Sequence, residues 1–165
     1  MGITSKQRGT HVFPDGIQLG SQQQGLPLVA TAVISAADIV NTAAGKFGHA
    51  SGQQIVAAPG ADYALLLIKA FLKYQFGVAA YTLGGNITLN WSGGGAALTG
   101  LVSAANSVGA AGSKNVGFYP LATAGVNLLV NTPIHLVSSA AFTQPGTATG
   151  TITMTVWYQK VPTAA

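Results

Sequence analysis

A strict alternation between threonine and apolar residues near the C-terminal end of the chain limits the possible fold more than any other feature. Every second residue from Thr147 to Thr155 is threonine, and apolar residues at Ile152, Met154, Val156 and Tyr158 occupy the intervening phase. Successive side chains of a β-strand point to opposite faces, whereas a helix repeats every 3.6 residues. The pattern therefore predicts a long strand with one apolar face and one uncharged polar face, suited to water or to a neighbouring subunit.

Most of the remaining chain also has the pattern of strands. We predict seven of them from β-branched or alternating runs: Leu28–Ile34, Gln54–Ala58, Val78–Leu83, Asn86–Trp91, Val116–Leu121, Val126–Val130 and Ile134–Ser139. The glycine pair between the third and fourth predicts a hairpin, and residues 98–105 suit either a strand or a short helix. Strands do not alternate with helices, so the sequence predicts an all-β fold, an antiparallel β-sandwich that is jelly-roll-like.

The segment Asp62–Phe76 is open to two interpretations. Its alanine, leucine and lysine residues favour a helix, on which Lys69 and Lys73 would share a face. Yet every second residue from Ala64 to Phe76 is apolar, which gives an unbroken period-two face. We favour a long strand.

The first 27 residues predict an extended N-terminal arm, followed by a β-sandwich domain over residues 28–165. Five glycines, two prolines and a run of three glutamines leave this arm with few large apolar residues. Such a stretch cannot bury enough apolar surface to fold alone. We predict that Val12 and Phe13 anchor the arm in an apolar groove of a partner, and that Lys6 and Arg8 pair with acidic groups there.

The charge of the chain restricts its partners. Only 6% of its residues are charged, against about 25% in ordinary soluble proteins. Its net charge of +4 comes from seven basic residues spread along the chain, so no nucleic-acid partner is expected. No apolar run approaches the length of a membrane span, and no membrane partner or secretion signal is expected. A surface with so little charge is prone to association, and we predict a homo-oligomer.

The titratable residues do not form a recognisable catalytic motif, and we expect no enzyme, no cofactor and no metal site. Asp38 has the spacing of a helix cap with Ser35, and Asp62 lies beside a turn, both ordinary structural positions. Ser51, His49 and Asp38 allow a triad to be imagined, but the G-x-S-x-G pattern is absent. The run from Gly109 to Lys114 lacks the order of a phosphate loop.

The aromatic residues leave a minority alternative open. Aromatic rings on alternating strands are usually buried in a core or an interface, yet they also form platforms for sugars. The residues available for such a platform are Tyr81, Trp91, Tyr119, Trp157 and Tyr158. Basic residues are not interleaved with them as they are in platforms for single-stranded nucleic acid.

Five stretches of the sequence resemble a known group of proteins. They are the run from Val56 to Ala61, the strand end Lys73-Tyr-Gln-Phe76, the residue Tyr81, the run from Leu129 to Ile134, and the run from Gly150 to Tyr158. Together they resemble the virion structural proteins of tailed bacteriophages, most of all the head decoration (cement) proteins that have a β-sandwich body. The resemblance covers roughly residues 33–161 and leaves the arm unmatched.

The resemblance implies a function in the virion. We expect a non-enzymatic capsid decoration or cement protein, a homotrimer that binds the major capsid protein and stabilises the head shell. It would lie on the capsid surface and pass through the host cytoplasm during assembly. The alternative is a tail fibre or spike module that binds host glycan through exposed aromatic residues.

Overall fold

The computed structural model describes residues 18–19, 22–23, 26–82, 84–121, 128–144, 146 and 149–163. One short helix and a single 3₁₀ turn, Ala104–Asn106, accompany the strands. In chain order the elements are β1 Gln18–Leu19, β2 Gln22–Gln23, β3 Leu28–Ile34, α1 Ala36–Val40, β4 Gln53–Val56, β5 Tyr63–Gln75, β6 Ile87–Trp91, β7 Lys114–Phe118, β8 Ile134–Ser138 and β9 Thr151–Pro162.

The strands from β3 onward form two antiparallel sheets. The large sheet has the order β3-β9-β5-β7, and the small sheet has the order β4-β8-β6. Residues 97–102 extend the small sheet, because Ala97 and Val102 form antiparallel bridges to Asn90 and Ile87 of β6. The chain thus places β3, β5, β7 and β9 in one sheet and β4, β6 and β8 in the other, which is jelly-roll topology. The predicted all-β sandwich is confirmed.

Strand β9 lies inside the large sheet, between β3 and β5. It pairs with β5 from Thr151 to Pro162 and with all seven residues of β3. Ile152, Met154 and Val156 are fully buried between the sheets, whereas the threonines between them are half-buried on the opposite face. The alternation predicted from the sequence is confirmed.

Strand β5 confirms the strand interpretation of residues 62–76, but the unbroken apolar face is wrong. Leu65 and Leu67 are buried, the register then shifts between Leu67 and Lys69, and the buried positions continue at Ala70 and Leu72. The extra residue of this β-bulge, Ile68, moves every later side chain to the other face. Leu66 and Ile68 are consequently only half-buried.

The predicted hairpin around Gly84-Gly85 is also wrong, because the segment before it is not a strand beside β6. Thr82 instead bridges Thr143, and the Gly85 N–H donates to the Ala140 carbonyl at 3.2 Å. Thr82 and residues 84–86 therefore run antiparallel to residues 139–143. A side chain on Gly84 would overlap the ring of Phe142, so the glycine is needed for close approach rather than for a turn.

The other predicted elements are found with shifted ends. The predicted strands at residues 54–58, 116–121 and 134–139 correspond to β4, β7 and β8. Residues 98–105 form bridges followed by the 3₁₀ turn. Residues 126–127 of the predicted strand at 126–130 lie outside the described residues, and residues 128–130 form no strand, although Val130 bridges Ala64. Ser35 caps α1 as predicted, since its hydroxyl accepts from the Asp38 N–H at 3.2 Å.

Among the described residues, no helix has the length and apolarity to cross a membrane.

Four aromatic residues fill one part of the core. The Phe47 and Phe142 rings stack at 5.8 Å, the Tyr81 ring meets Phe142 edge-on at 6.5 Å, and Tyr74 lies beside Tyr81. The Tyr81 hydroxyl donates to the Gly150 carbonyl at 2.9 Å. Burial, with a smaller contribution from Tyr74, raises the pKa of Tyr81 to about 12. The neutral phenol is thus the form that the fold stabilises.

We predict a loss of stability at alkaline pH that depends on Tyr81. Its folded pKa is above its ordinary value of 10.0, so the unfolded chain loses the proton first and stability falls as pH rises from 10 towards 12. Tyr81→Phe should lower the free energy of unfolding at pH 7 by about 1 kcal/mol and should flatten this decline. Urea unfolding at pH 7, 9 and 11 measures both effects, with the exposed Tyr119→Phe as control. Equal declines in all three proteins would contradict the prediction.

A second prediction separates steric overlap from backbone strain at two glycines. Gly52 has a φ of +63° and its side-chain position is blocked by the Leu136 carbonyl, whereas Gly45 has a φ of +82° and nothing within 4 Å. Gly45→Ala should cost only the left-handed strain, about 1–2 kcal/mol. Gly52→Ala should cost at least about 3 kcal/mol, because backbone must also move. Urea unfolding measures both, and equal losses would show that the contact with β8 contributes nothing.

Candidate interaction face

The turn before β4 brings together two of the residues from which a catalytic triad was imagined. The His49 Nδ1 atom lies 2.6 Å from the Ser51 hydroxyl, and the Ser51 N–H donates to the same nitrogen at 3.0 Å. Because Nδ1 accepts from the backbone, the ring proton of neutral His49 is on Nε2 and the hydroxyl must also donate to Nδ1. His135 Nδ1 donates to the Ser51 carbonyl at 3.0 Å. These bonds hold the turn against β8.

The third residue of the imagined triad lies in a different interaction. The Asp38 carboxylate pairs with the Lys46 ammonium at 2.8 Å, and this hydrogen bond lowers the pKa of Asp38 below its ordinary value. No hydrogen bond joins Asp38 to His49 in the part of the chain that the structure describes. The His49–Ser51 contact is therefore a local side-chain-to-backbone turn of the kind that polar residues commonly form.

An open cleft of about 380 Å³ lies beside this turn. It is lined by His49 together with small or apolar residues of the neighbouring loop and of β8: Thr42, Gly48, Ala50, Val137, Ser138, Ser139, Ala140 and Ala141. Its lining includes no carboxylate or ammonium group to orient a polar ligand. Elsewhere in the described residues, no three histidine or acidic side chains are grouped so that they could hold a metal ion.

The larger feature is the outer face of the large sheet, which points away from the small sheet. Cross-strand pairing arranges it in three rows of residues from β3, β9 and β5. The rows are Val29–Trp157–Lys69, Thr31–Thr155–Phe71 and Val33–Thr153–Lys73. We call these nine residues the outer face. On β7, Gly117 pairs with Phe71, and the Tyr119 ring lies over the glycine and extends the surface.

Apolar side chains on the outer face remain accessible. Val29 is 55% exposed, Val33 is 67% exposed and Phe71 is 42% exposed. The three apolar side chains are interspersed with threonine: Thr31 separates the two valines on β3, and Thr155 lies between β3 and Phe71. Exposed apolar side chains on a soluble protein can mark a site of interaction when they belong to one larger surface.

The charges on the outer face are all positive. The Lys69 ammonium lies 5.0 Å from the centre of the Trp157 ring, a cation–π contact that covers one side of the indole. Lys73, which lies in the third row, is exposed. Among the residues described on this face, none is acidic.

Sequence reasoning placed part of this surface. The alternation places the threonines on one side of β9, but it does not predict that they share a face with Lys69 and Lys73 of β5. The four arm residues predicted to bind a partner, Lys6, Arg8, Val12 and Phe13, lie outside the described residues. The exposed valines on β3 follow the same period-two alternation.

The predicted aromatic platform is dispersed. Trp91 and Tyr81 are buried in the core, and Tyr158 packs partly against it. Trp157 is half-buried on the outer face under Lys69, whereas Tyr119 is 71% exposed. Two of the five rings therefore belong to the outer face and its extension, and the other three do not form a platform with them.

Comparison with known proteins gives similarity to solved structures but no match to a family. No protein-family model matches the chain, and no curated protein matches it. Among solved structures, the chain is similar to a chain of the one described as "Cyanophage Pam1 capsid asymmetric unit", over 96% of this chain and 99% of that one. The sequence identity is 17% and the TM-score is 0.42. A similarity of this size does not assign the chain to a family, and the proposals below do not depend on it.

We predict that the His49–Ser51 turn acts only as a structural element. His49→Asn keeps a side-chain acceptor for the Ser51 N–H and should change the free energy of unfolding by less than about 0.5 kcal/mol. His49→Leu leaves two donors without their acceptor and should cost about 1–3 kcal/mol. Urea unfolding measures both. An esterase activity of the wild type that is abolished in Ser51→Ala would contradict this assignment and indicate a nucleophile.

Proposed function

We propose that the chain is a non-enzymatic virion structural protein of a tailed bacteriophage, a decoration (cement) protein that binds and stabilises the head shell. The observation that carries the proposal is the outer face: a broad, rigid sheet surface with exposed valine, threonine and phenylalanine and no acidic residue among those described. A decoration protein needs a stable body with one surface free for the shell, and this arrangement supplies it.

The composition of the chain supports the same proposal. Only 6% of its residues are charged, which favours association over colloidal repulsion. Some of the stretches that carry the sequence resemblance are parts of strands in the sandwich. The run from Gly150 to Tyr158 contains the first part of β9, and Lys73–Gln75 forms the end of β5. The resemblance thus concerns the body of the domain and not one isolated loop.

The proposed partners are the major capsid protein and further copies of this chain, with a homotrimer as the proposed assembly. Neither nucleic acid nor membrane is proposed as a partner. The proposed location is the capsid surface, after synthesis in the host cytoplasm. Val12 and Phe13, with Lys6 and Arg8, are proposed to add contacts through the N-terminal arm.

We predict that the arm strengthens binding to the shell. Purified full-length protein should bind phage heads assembled without it, and a truncated chain that begins at Leu28 should bind at least about tenfold more weakly, which corresponds to 1.4 kcal/mol. The reason is that the arm contributes apolar and charged anchors that the body lacks. Co-sedimentation with the heads measures binding, and light scattering measures the mass of both forms.

Variants within the arm give a matched control for the truncation. Val12→Ser with Phe13→Ser should weaken binding, whereas Gln22→Ser with Gln23→Ser should not, since glutamines supply no apolar anchor. Equal binding by the full and truncated chains would show that the arm does not bind the shell. Labelling of the full-length protein on the tail and not on the head would favour the fibre or spike alternative.

A further inference from the structure

The rows of the outer face form a regular pattern of side-chain types. The central row, Thr31–Thr155–Phe71, is uncharged, and its two threonine hydroxyls are 3.5 Å apart. The flanking rows each begin with an exposed valine on β3 and end with a lysine on β5. Because β3 and β5 lie on opposite sides of β9, the apolar and the cationic edges of the face are separated by one strand of threonine and tryptophan.

A second copy of the chain does not complement this surface. The whole sequence has three acidic side chains, of which Asp38 already pairs with Lys46 and Asp62 lies in the turn before β5. Packing two outer faces together would place lysines opposite lysines or opposite valines, and like charges at an interface cost several kcal/mol. Carboxylates that complement the two lysines are therefore better supplied by another protein than by the same face of a second copy.

The size of the face fits part of an interface. Strands about 4.8 Å apart and residues about 3.3 Å apart give the three strands of the outer face an area on the order of 240 Å². A standard protein interface buries about 800 Å² on each partner. The outer face supplies roughly a third of one side, so a partner that covers it must also contact another part of the chain.

We propose that the outer face docks on an acidic patch of a partner protein, with carboxylates opposite Lys69 and Lys73 and aliphatic side chains opposite Val29 and Val33. This inference deepens the proposed function and rests on it: in the shell, the partner is a capsid subunit. Of the two lysines, Lys73 is expected to make the stronger contact with a partner carboxylate, because the Lys69 ammonium already contacts the Trp157 ring. A glycan fits the face less well, since the Lys69 ammonium covers one side of the Trp157 indole on which a sugar ring would stack.

A charge reversal at Lys73 tests the proposal, and Lys114 provides a matched control. Lys73 pairs with Asn115, and the adjacent Lys114 pairs with Tyr74, so the two exposed lysines lie on opposite sides of the same two strands. Lys73→Glu and Lys114→Glu change the net charge equally. Lys73→Glu should weaken binding to heads assembled without the protein by at least about tenfold, and Lys114→Glu should change it by less than about threefold.

Each result has a defined meaning. Circular dichroism and urea unfolding of both variants establish that they are folded, and a variant that fails there is replaced by Lys73→Gln and Lys114→Gln. Wild-type protein that does not bind heads overturns the proposed function together with this inference. If the wild-type protein binds heads and both substitutions change binding equally, the docking face is overturned and the proposed function is not. A change of oligomeric mass in Lys73→Glu would assign the face to a second copy, and lost adsorption to host cells with intact head binding would assign it to a glycan.

Discussion

The pairing of β9 with β3 on one side and β5 on the other determines both surfaces of the large sheet. Twelve residues of β9 are in register with β5, and seven of them also pair with β3. The side-chain period of a strand is two, so a slip of one residue would exchange the buried isoleucine, methionine and valine for threonine. The apolar core therefore fixes the register, and the register in turn places Thr153, Thr155 and Trp157 in line with the lysines and valines of the neighbouring strands.

Part of this arrangement could be predicted from the sequence, because the alternation of apolar and polar residues along a strand indicates which of its faces is buried. The prediction worked where one face is polar, as in β9, and it failed in β5 where both faces are apolar. Four consecutive apolar residues from Leu65 to Ile68 give no information about phase, so a bulge among them leaves no signal. The same limit explains Gly84-Gly85: the glycine pair indicates close backbone approach equally well at a turn or, as here, against Phe142.

The candidate face could be predicted only in pieces, for a different physical reason. Lys69 and Lys73 on one strand and the threonines on another were each recognisable, but their meeting depends on which strands are neighbours. That order is a property of the topology and does not follow from the number of strands. The two tryptophans show what alternation alone can supply: Trp91 has the apolar phase of Ile87 and Leu89 and is buried, whereas Trp157 has the threonine phase of β9 and lies on the outer face.

Threonine side chains are buried in the small sheet but only half-buried on the outer face of the large sheet. This contrast is the strongest reason to propose that the outer face is covered in an assembly. On β6, Thr88 and Asn90 are buried and bond to the segment that follows β6 and pairs beside it, with the Thr99 carbonyl accepting at 3.1 Å and the Gly95 carbonyl at 3.0 Å. No described segment covers Thr153 and Thr155 in this way. Burial of threonine and valine costs little side-chain entropy, whereas each lysine or glutamate can lose about 1.5–2 kcal/mol. A face of threonine and valine therefore loses little side-chain entropy when a partner covers it, which is the property that the proposed docking on an acidic partner requires.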